Sequence, residues 1–319
     1  MAIYLVKRVF GAVPLLLGIF FVSFLIMHLA PGDPTLMFMD PSVSLEDLVQ
    51  VKQNLGLDRP LILQFFAWLK LIFQGDFGYS YMTGKPVLEA ILERLPATLF
   101  LSMSSLFLIL LVTFPLGLFS AYKKQSLFDH SVTVFSFVGL SIPSFWLGLI
   151  LILVFSLKLD WFPTSGYMDA ALADAPFFYQ IKNVLWHSCL PLWTILIGGI
   201  AGLTRYHRFS ILSILNQDYI KAGRARGLSE MRLLFKHGFK NAALPIITIL
   251  GMDLPSLVGG SYVIEYIFSW PGMGQLGVAS VFSRDYPILM GMIVMSSVLI
   301  VLGNLMADIV YRYLDPRIQ

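Results

Sequence analysis

Charged residues are scarce in this sequence. Only 13% of its 319 residues are Asp, Glu, Lys or Arg, against about 25% in soluble domains, and 57% are apolar. A chain this apolar is an integral membrane protein, and its net charge of +3 is too small to indicate nucleic acid as a partner. The single cysteine, Cys189, excludes a disulfide within the chain.

Motifs of enzymes and metal sites are also absent. The sequence has no GxxxxGK(S/T), so it binds no nucleotide through a P-loop, and it has neither GxSxG nor HExxH. Its five histidines show no HxxxH spacing. We therefore expect a chain that is not an enzyme, with no catalytic residue, metal or cofactor of its own.

Long apolar runs are abundant, and roughly 20 apolar residues span a bilayer. The first run could instead belong to a signal peptide, but it is longer than a typical h-region and no A-x-A cleavage pattern follows it. The sequence thus predicts an all-α integral membrane protein with six transmembrane helices. The runs cover residues 9–29, 98–122, 132–157, 188–204, 242–264 and 288–311.

The distribution of basic residues predicts the orientation of these helices. Six spans place both termini on one side, and Lys and Arg are concentrated on that side, with six of them between Lys221 and Lys240. The positive-inside rule then places both termini and the loop 205–241 in the cytoplasm. The mixed region 31–95 falls on the other side, and its amphipathic stretch 61–73 predicts a short helix packed on the membrane domain.

The longest polar interruption in the second half of the chain is 219–245. It begins with a short helical pattern from Tyr219 to Arg226, in which Ala222, Gly223 and Ala225 give a small-residue surface that another protein could approach closely. The alternative is a basic cytoplasmic loop that only fixes the topology.

A second helical pattern follows in the same stretch. Gly227 suits a helix C-terminus, where a residue tolerant of φ > 0 is common, and Ser229 can cap the N-terminus of the next helix. Such a helix could lie in the membrane interface, with its basic side chains reaching water and lipid phosphate. Its apolar stripe is Met231, Leu234, Phe235 and Gly238, beside Arg232, Lys236 and Lys240.

Candidate pathway residues come from the apolar runs themselves. Asp253 lies in the middle third of the fifth run, and an acid at that depth is a functional-site hypothesis because its burial is costly. It could face a water-filled pathway and meet a substrate cation, or form a structural hydrogen bond to a neighbouring helix. Prolines leave backbone carbonyls unpaired where a helix bends or lines a cavity, so Pro143, its neighbour Ser144, and Pro255 are further candidates.

A series of motifs runs through nearly the whole chain in a recognisable order. The stretch 219–245 contains Lys221-Ala222-Gly223-x-x-x-Gly227, followed by Leu244-Pro245. The other motifs are LAPGDP (29–34), GDFGYS (75–80), SIPSFWLG (141–148), WFPTSGY (161–167), GGSYVIEYIFSWPGMG (259–274), RDYP (284–287) and YLDPRI (313–318). Together they resemble permease subunits of bacterial ABC importers, in the dipeptide/oligopeptide/nickel branch and of the first-subunit (B) type. The basic stretch is similar to the EAA motif of these permeases, with Lys in place of the motif's Glu and Gly in place of its second Ala.

This resemblance implies a type I ABC importer transmembrane fold in a bacterial cytoplasmic membrane. It implies an N-terminal helix (1–30), an extracytoplasmic region with short helices (31–95), a five-helix transmembrane domain (96–312) and a cytoplasmic tail (313–319). The partners it implies are a second homologous permease, two ATPase subunits that bind ATP and Mg²⁺, an extracytoplasmic solute-binding protein and membrane lipid.

The resemblance also assigns a role to the basic stretch. Residues 219–227 would be the coupling helix that seats in a cleft of the ATPase, so bulky replacements at Ala222 or Gly223 should uncouple transport. The residues that would carry this contact are Tyr219, Lys221, Ala222, Gly223, Arg226 and Gly227.

The substrate class follows from the same resemblance and has alternatives. Di- and oligopeptides are the expected substrates, and nickel or a nickel chelate is the alternative. A nickel pathway would predict convergent His or carboxylate ligands, whereas the five histidines lie on different segments. A stand-alone channel or secondary transporter is a different class, for which inverted repeats and paired intramembrane charges would be expected, and neither is evident.

Overall fold

The computed structural model describes residues 2–29, 58–235, 246 and 261–314. Regular structure in these residues is helical, and their extended pairing is limited to an isolated bridge between Tyr79 and Pro86. The all-α class is thereby confirmed. The helices are α1 (Ala2–Leu29), α2 (Leu61–Phe73), α3 (Val87–Tyr122), α4 (Leu127–Ser141), α5 (Ser144–Leu151, continued by a π-helical segment Ile152–Lys158), α6 (Phe177–Leu215), α7 (Asp218–Ala225), α8 (Glu230–Arg232), α9 (Tyr262–Ile267), α10 (Met273–Ser283) and α11 (Tyr286–Leu314), with a 3₁₀ turn at Ala170–Leu172.

Among the described helices, four are long and apolar enough to cross a membrane: α1, α3, α6 and α11. The helices α4 and α5 together form a fifth candidate span that is bent. These spans correspond to five of the six predicted runs. The other predicted run, 242–264, lies outside the described residues apart from Ile246 and 261–264.

The third predicted run is broken, although the sequence indicated one span over 132–157. The axes of α4 and α5 differ by 98° across a short break. Pro143 causes the break, because it has no backbone N–H to donate and disfavours the helical conformation in the residue before it. Accordingly Ile142 is extended, with φ −84° and ψ 120°, and Pro143 caps the start of α5.

Two helices extend beyond the apolar runs that predicted them. The helix α6 has 39 residues, against the predicted 188–204, and α3 begins at Val87 instead of residue 98. The added turns of α3 bury side chains, because Val87 and Ile91 pack against Ile288 at the start of α11, and the last turns of α6 bury Ile211. Hydropathy alone therefore underestimates these helices, since it does not register contacts within the protein.

The N-terminal helix α1 is held by aromatic contacts. Phe20 and Phe24 pack against Phe65 and Trp68 of α2, with ring centroids 5.6–6.2 Å apart for the edge-on pairs Phe24–Phe65 and Phe20–Trp68. The same cluster reaches Met290 of α11. The predicted amphipathic helix over 61–73 is thus confirmed, and it packs on the membrane domain.

The described bundle is centred on α3 and α6, with α4 packed alongside, and its two ends are built differently. One end, here called the α7 end, holds the last turns of α3 and α6, the start of α4, and α7. The other, called the α10 end, holds the start of α3, the helices α9 and α10, and the start of α11. This division positions the candidate site.

Candidate functional site

Only two residues separate the end of α6 from the start of α7. It covers Asp218–Ala225, one residue earlier than the predicted Tyr219–Arg226. Gly227 has φ +80° after its last turn, and the Ser229 hydroxyl accepts a hydrogen bond from the Arg232 N–H at 3.4 Å at the start of α8. Both predicted punctuation residues are therefore confirmed, and they fold the chain back directly after α7.

The two faces of α7 differ in exposure. Ile220 and Gly223 are buried, whereas the opposite face is exposed. A Cβ at Gly223 would lie 2.7 Å from Cδ2 of Leu233 in the returning chain, so this glycine permits close packing within the loop. The predicted small-residue surface is thus divided. Ala222 and Ala225 face outward with Asp218 and Lys221, and Gly223 faces inward.

Ion pairs join neighbouring parts of the loop around α7. Arg224 donates to both carboxylate oxygens of Glu230, from Nε at 2.6 Å and from Nη2 at 3.1 Å, and so joins α7 to α8. This hydrogen bonding holds the pKa of Glu230 below its usual value. Lys221 pairs with Asp218 at 2.9 Å one turn earlier and lowers the pKa of that carboxyl. Arg226 donates from Nε to the Ala222 carbonyl at 3.3 Å, and Tyr219 is 47% exposed.

The residues of the second predicted stripe are divided between buried and exposed positions. Leu233 and Leu234 are the buried residues of this segment, whereas Met231 and Phe235 are about half exposed. Leu234 lies in an apolar cluster with Leu118 and Ala121 of α3 and Ile211 of α6. Packing against α3 and α6 thus covers Leu234, and the contact of Met231 and Phe235 with a membrane interface stays a prediction. Gly238, Lys236 and Lys240 lie outside the described residues.

The candidate pathway residues are only partly within the described chain. Pro143 and Ser144 lie together at the break between α4 and α5, and both are exposed. Asp253 and Pro255 lie outside the described residues. Two of the four candidates, which are neighbours in sequence, therefore lie at the 98° bend between α4 and α5.

A buried carboxylate organises the α10 end. Glu265 of α9 has no exposed surface, and its oxygens accept hydrogen bonds from the Thr98 hydroxyl at 3.0 Å and the Gly274 N–H at 2.6 Å. Thr98 in turn accepts from the Met273 N–H at 2.7 Å. A Cβ at Gly272 would overlap the Glu265 carboxylate and the Thr98 hydroxyl, so glycine is required there.

A second buried carboxylate joins two distant motifs. Asp285 of RDYP is 2% exposed and accepts hydrogen bonds from the Ser80 hydroxyl at 2.5 Å and the Tyr81 N–H at 3.1 Å. It thereby fixes the turn-rich GDFGYS segment to the start of α11. Sequence reasoning singled out both motifs but not their contact, because 205 residues separate Ser80 from Asp285.

The motifs WFPTSGY and WPGMG also meet. The Gly166 N–H donates to the Phe268 carbonyl at 2.8 Å, and the Tyr167 ring packs edge-on against Trp270 with centroids 4.9 Å apart. Trp270 is fully buried and donates from Nε1 to the Ala97 carbonyl at 2.9 Å. These segments therefore form one buried assembly at the α10 end.

Comparison with solved structures identifies the fold. The chain is similar to a chain in the structure titled "Inward facing conformations of the MetNI methionine ABC transporter", with a TM-score of 0.56, covering 72% of this chain and 97% of that chain. Their sequences are 16% identical, so this likeness concerns the fold. The described helices thus have the transmembrane fold of a type I ABC importer.

The family follows from sequence comparison. Residues 113–319 match the model of the "Binding-protein-dependent transport system inner membrane component", and residues 1–102 match that of the corresponding N-terminal region. The chain belongs to this family and is an ABC importer permease of the peptide branch. It is 48% identical to the oligopeptide transport system permease protein AppB of Bacillus subtilis, over all of both chains. It is 35% identical to the glutathione transport system permease protein GsiC of Salmonella paratyphi A, over 99% of this chain and 98% of that one.

Proposed function

We propose that this permease moves di- or oligopeptides across the bacterial cytoplasmic membrane, driven by ATPase subunits that dock on α7. Both termini and α7 lie in the cytoplasm, in agreement with the positive-inside count. ATP and Mg²⁺ are bound and the ATP is hydrolysed by two separate ATPase subunits, a second permease completes the pathway, and a solute-binding protein delivers the peptide from outside.

One observation carries the docking proposal: α7 is a short helix with a small, exposed outer face on a firm base. Ala222 and Ala225 leave that face free of bulk, and Asp218 and Lys221 give it a charged rim. Ile220 and Gly223 anchor the inner face, and the Arg224–Glu230 pair joins α7 to α8. A helix held in this way passes a displacement imposed by a partner on to the rest of the protein instead of deforming.

The inward orientation of Gly223 gives it a different role from Ala222 and Ala225. Ala222 and Ala225 form the contact surface for the ATPase, since they are exposed. Gly223 supports the loop from within, because any side chain there would displace Leu233. Tyr219, Arg226 and Gly227 border the contact surface, and all three are exposed.

The peptide substrate is supported by the relatives. The relatives compared above are named for oligopeptide and glutathione transport, which favours peptides over nickel. A peptide presents an ammonium, a carboxylate and unpaired amides, so a wide, hydrated and weakly binding pathway suits it. Specificity then lies largely in the solute-binding protein.

The docking proposal is tested with Ala222→Trp in the full complex of permeases, ATPases and binding protein. The indole blocks the outer face of α7 without entering the protein core, so ATPase subunits should co-purify poorly and ATP-dependent peptide uptake into vesicles should fall at least about tenfold. The matched control is Ala171→Trp, an equally large change at an exposed alanine of the 3₁₀ turn far from α7. Normal co-purification and uptake by Ala222→Trp would overturn the docking proposal.

The substrate proposal is tested with the unmodified complex. Uptake of labelled dipeptides and longer peptides is compared with uptake of ⁶³Ni²⁺, free and chelated, at equal concentrations. We expect ATP-dependent uptake of peptides. Uptake of nickel but not of peptides would contradict it.

A further inference from the structure

Asp129 lies at the α7 end, where four segments of the chain meet. Its carboxylate is buried and forms a two-point ion pair with Arg208 of α6, from Nε to Oδ1 at 2.5 Å and from Nη2 to Oδ2 at 2.7 Å. It also accepts hydrogen bonds from the Ser120 hydroxyl of α3 at 2.5 Å and the Gln125 N–H of the α3–α4 turn at 2.9 Å. A single side chain thus ties α3, the turn, α4 and α6 together.

Sequence reasoning did not single out this pair. Asp129 lies three residues after Ser126, which caps α4. An acidic residue at this position is common at the start of a helix and indicates no further role. Arg208 contributed only to the count of basic residues on the cytoplasmic side. Their 79-residue separation hides the contact.

The ion pair is close to α7 along the chain and in space. Arg208 precedes α7 by less than three turns of α6 and the two-residue link. Leu234, from the segment after α7, packs between α3 and α6, against Leu118 and Ile211. Gly223 of α7 therefore contacts Leu233, and the next residue in the chain, Leu234, contacts the ends of α3 and α6.

Further along the helices, small residues let α3, α4 and α6 pack closely together. A Cβ at Gly117 of α3 would lie 2.9 Å from Nδ1 of His207, and one at Gly139 of α4 would lie 2.9 Å from the Ala201 Cβ. Helices packed this closely cannot slide past one another without displacing backbone. The three helices are thus expected to move as one unit when their α7 end is moved.

Stability alone does not account for an ion pair between the buried Asp129 carboxylate and the partly buried Arg208. Apolar side chains of similar volume often stabilise a fold as well or better, because the charges must first lose their water. A two-point arginine–carboxylate contact does fix distance and angle, which a single-point or apolar contact does not. Geometry is therefore what this pair supplies.

We propose that Asp129 and Arg208 are positioning residues that transmit movement of α7 to the break at Pro143 and Ser144. Asp129 anchors the first turn of α4, and the last residue of α4, Ser141, borders the break. The 15-residue α4 spans about 22 Å between these points. A displacement of α7 by the ATPase then turns α4 with α6 and changes the 98° angle between α4 and α5. This inference rests on the proposed docking of ATPases at α7.

The test measures peptides imported per ATP hydrolysed in the reconstituted full complex. Two variants are used: Arg208→Lys, which keeps the charge but loses the two-point contact, and the double variant Asp129→Asn/Arg208→Gln, which removes both charges together. We expect the ratio to fall about fivefold or more in the double variant, which is the lower end of typical coupling effects, and by less in Arg208→Lys. A merely structural role would reduce the amount of assembled complex and lower uptake and ATPase activity in proportion, leaving the ratio unchanged.

Two controls separate this inference from the proposed function. The double variant Lys85→Gln/Glu93→Gln removes an exposed ion pair of 2.9 Å near the α10 end and should leave the ratio unchanged. Ala222→Trp should abolish uptake. An unchanged ratio in both Asp129/Arg208 variants, with Ala222→Trp inactive, would overturn the positioning role and leave the docking proposal intact. Normal uptake by Ala222→Trp would overturn both.

Discussion

The two buried acidic residues at the α10 end and the two acidic residues of the loop around α7 lie in opposite environments. At the α10 end, Glu265 and Asp285 are buried and accept hydrogen bonds from hydroxyl and backbone N–H groups. At the α7 end, the side chains of Glu230 and Asp218 are 54% and 97% exposed and pair with basic side chains. The same chemical group therefore serves as a fixed internal acceptor in Glu265 and Asp285 and as a surface partner in the loop around α7, whereas the buried Asp129 at the α7 end resembles the first kind.

This difference has an energetic meaning. A buried carboxylate that loses its donors, or donors that lose their carboxylate, leave polar groups unsatisfied in a place that water does not reach. An exposed ion pair exchanges its partner for water at little cost. The α10 end should therefore resist rearrangement, whereas the surface of α7 remains available to a partner. The following predictions test that contrast, beginning with the largest effect.

Replacing Glu265 by Ala should have the largest effect on stability. The change leaves the Thr98 hydroxyl and the Gly274 N–H without their acceptor, so we expect a loss of roughly 2–6 kcal/mol, at about 1–3 kcal/mol for each unsatisfied buried group. Glu265→Gln retains one oxygen acceptor and should lose less. Thermal unfolding of the purified protein in detergent measures both, with the exposed Glu93→Ala as the control. A Glu265→Ala protein as stable as the Glu93→Ala control would show that the buried hydrogen bonds of Glu265 do not stabilise the fold.

Replacing Asp285 by Ala should have an intermediate effect. The Ser80 hydroxyl and the Tyr81 N–H lose their acceptor, but this turn is nearer to solvent, so water can replace part of the contact and we expect about 1–2 kcal/mol. The segment 75–83 should then become accessible to limited proteolysis, which compares the variant with wild type at equal protease. The control is Asp76→Ala, because Asp76 is exposed and its carboxylate accepts a hydrogen bond from the Gly78 N–H within its own turn. Equal cleavage of the two variants would contradict the assignment of Asp285 as the anchor.

Removing the exposed pair at α7 should have the smallest effect. Glu230→Gln weakens the bond to Arg224, and we expect about 0–1 kcal/mol at neutral pH. Because Arg224 lowers the pKa of Glu230 in the folded protein, the pair contributes above the ordinary glutamate value of 4.5 and is lost as pH falls through the lowered pKa. Hydrogen exchange of α7 amides should therefore differ between wild type and Glu230→Gln at pH 7, and the difference should shrink as the pH falls and Glu230 becomes protonated. A difference that does not shrink as the pH falls would show that the charge of Glu230 is not responsible.

Local features of this chain were predictable from its sequence. Gly227 and Ser229 act at the ends of α7 and α8 as expected, because capping and positive φ depend on a few neighbouring residues. The amphipathic helix 61–73 was likewise confirmed. The break at Pro143 was expected as a place where a helix could bend, but its 98° angle was not, since packing on both sides determines it.

Contacts between distant segments were not predictable. The sequence placed Gly223 with Ala222 and Ala225 on one surface, whereas the returning chain brings Leu233 against Gly223 and turns that position inward. Glu265 and Thr98 are 167 residues apart, and Asp129 and Arg208 are 79 apart. No pattern of spacing along one helix reports such partners.

Apolarity and helix capping act over short stretches of chain, so the sequence alone specifies the membrane class, the approximate positions of the spans and the ends of the loop helices. Its motifs also indicate the permease family. The exposed face of α7, the burial of particular carboxylates and the donors that satisfy them are instead set by the tertiary fold. Burial and hydrogen-bond partnership depend on which distant segments the fold brings together, and no local stretch of sequence contains that information.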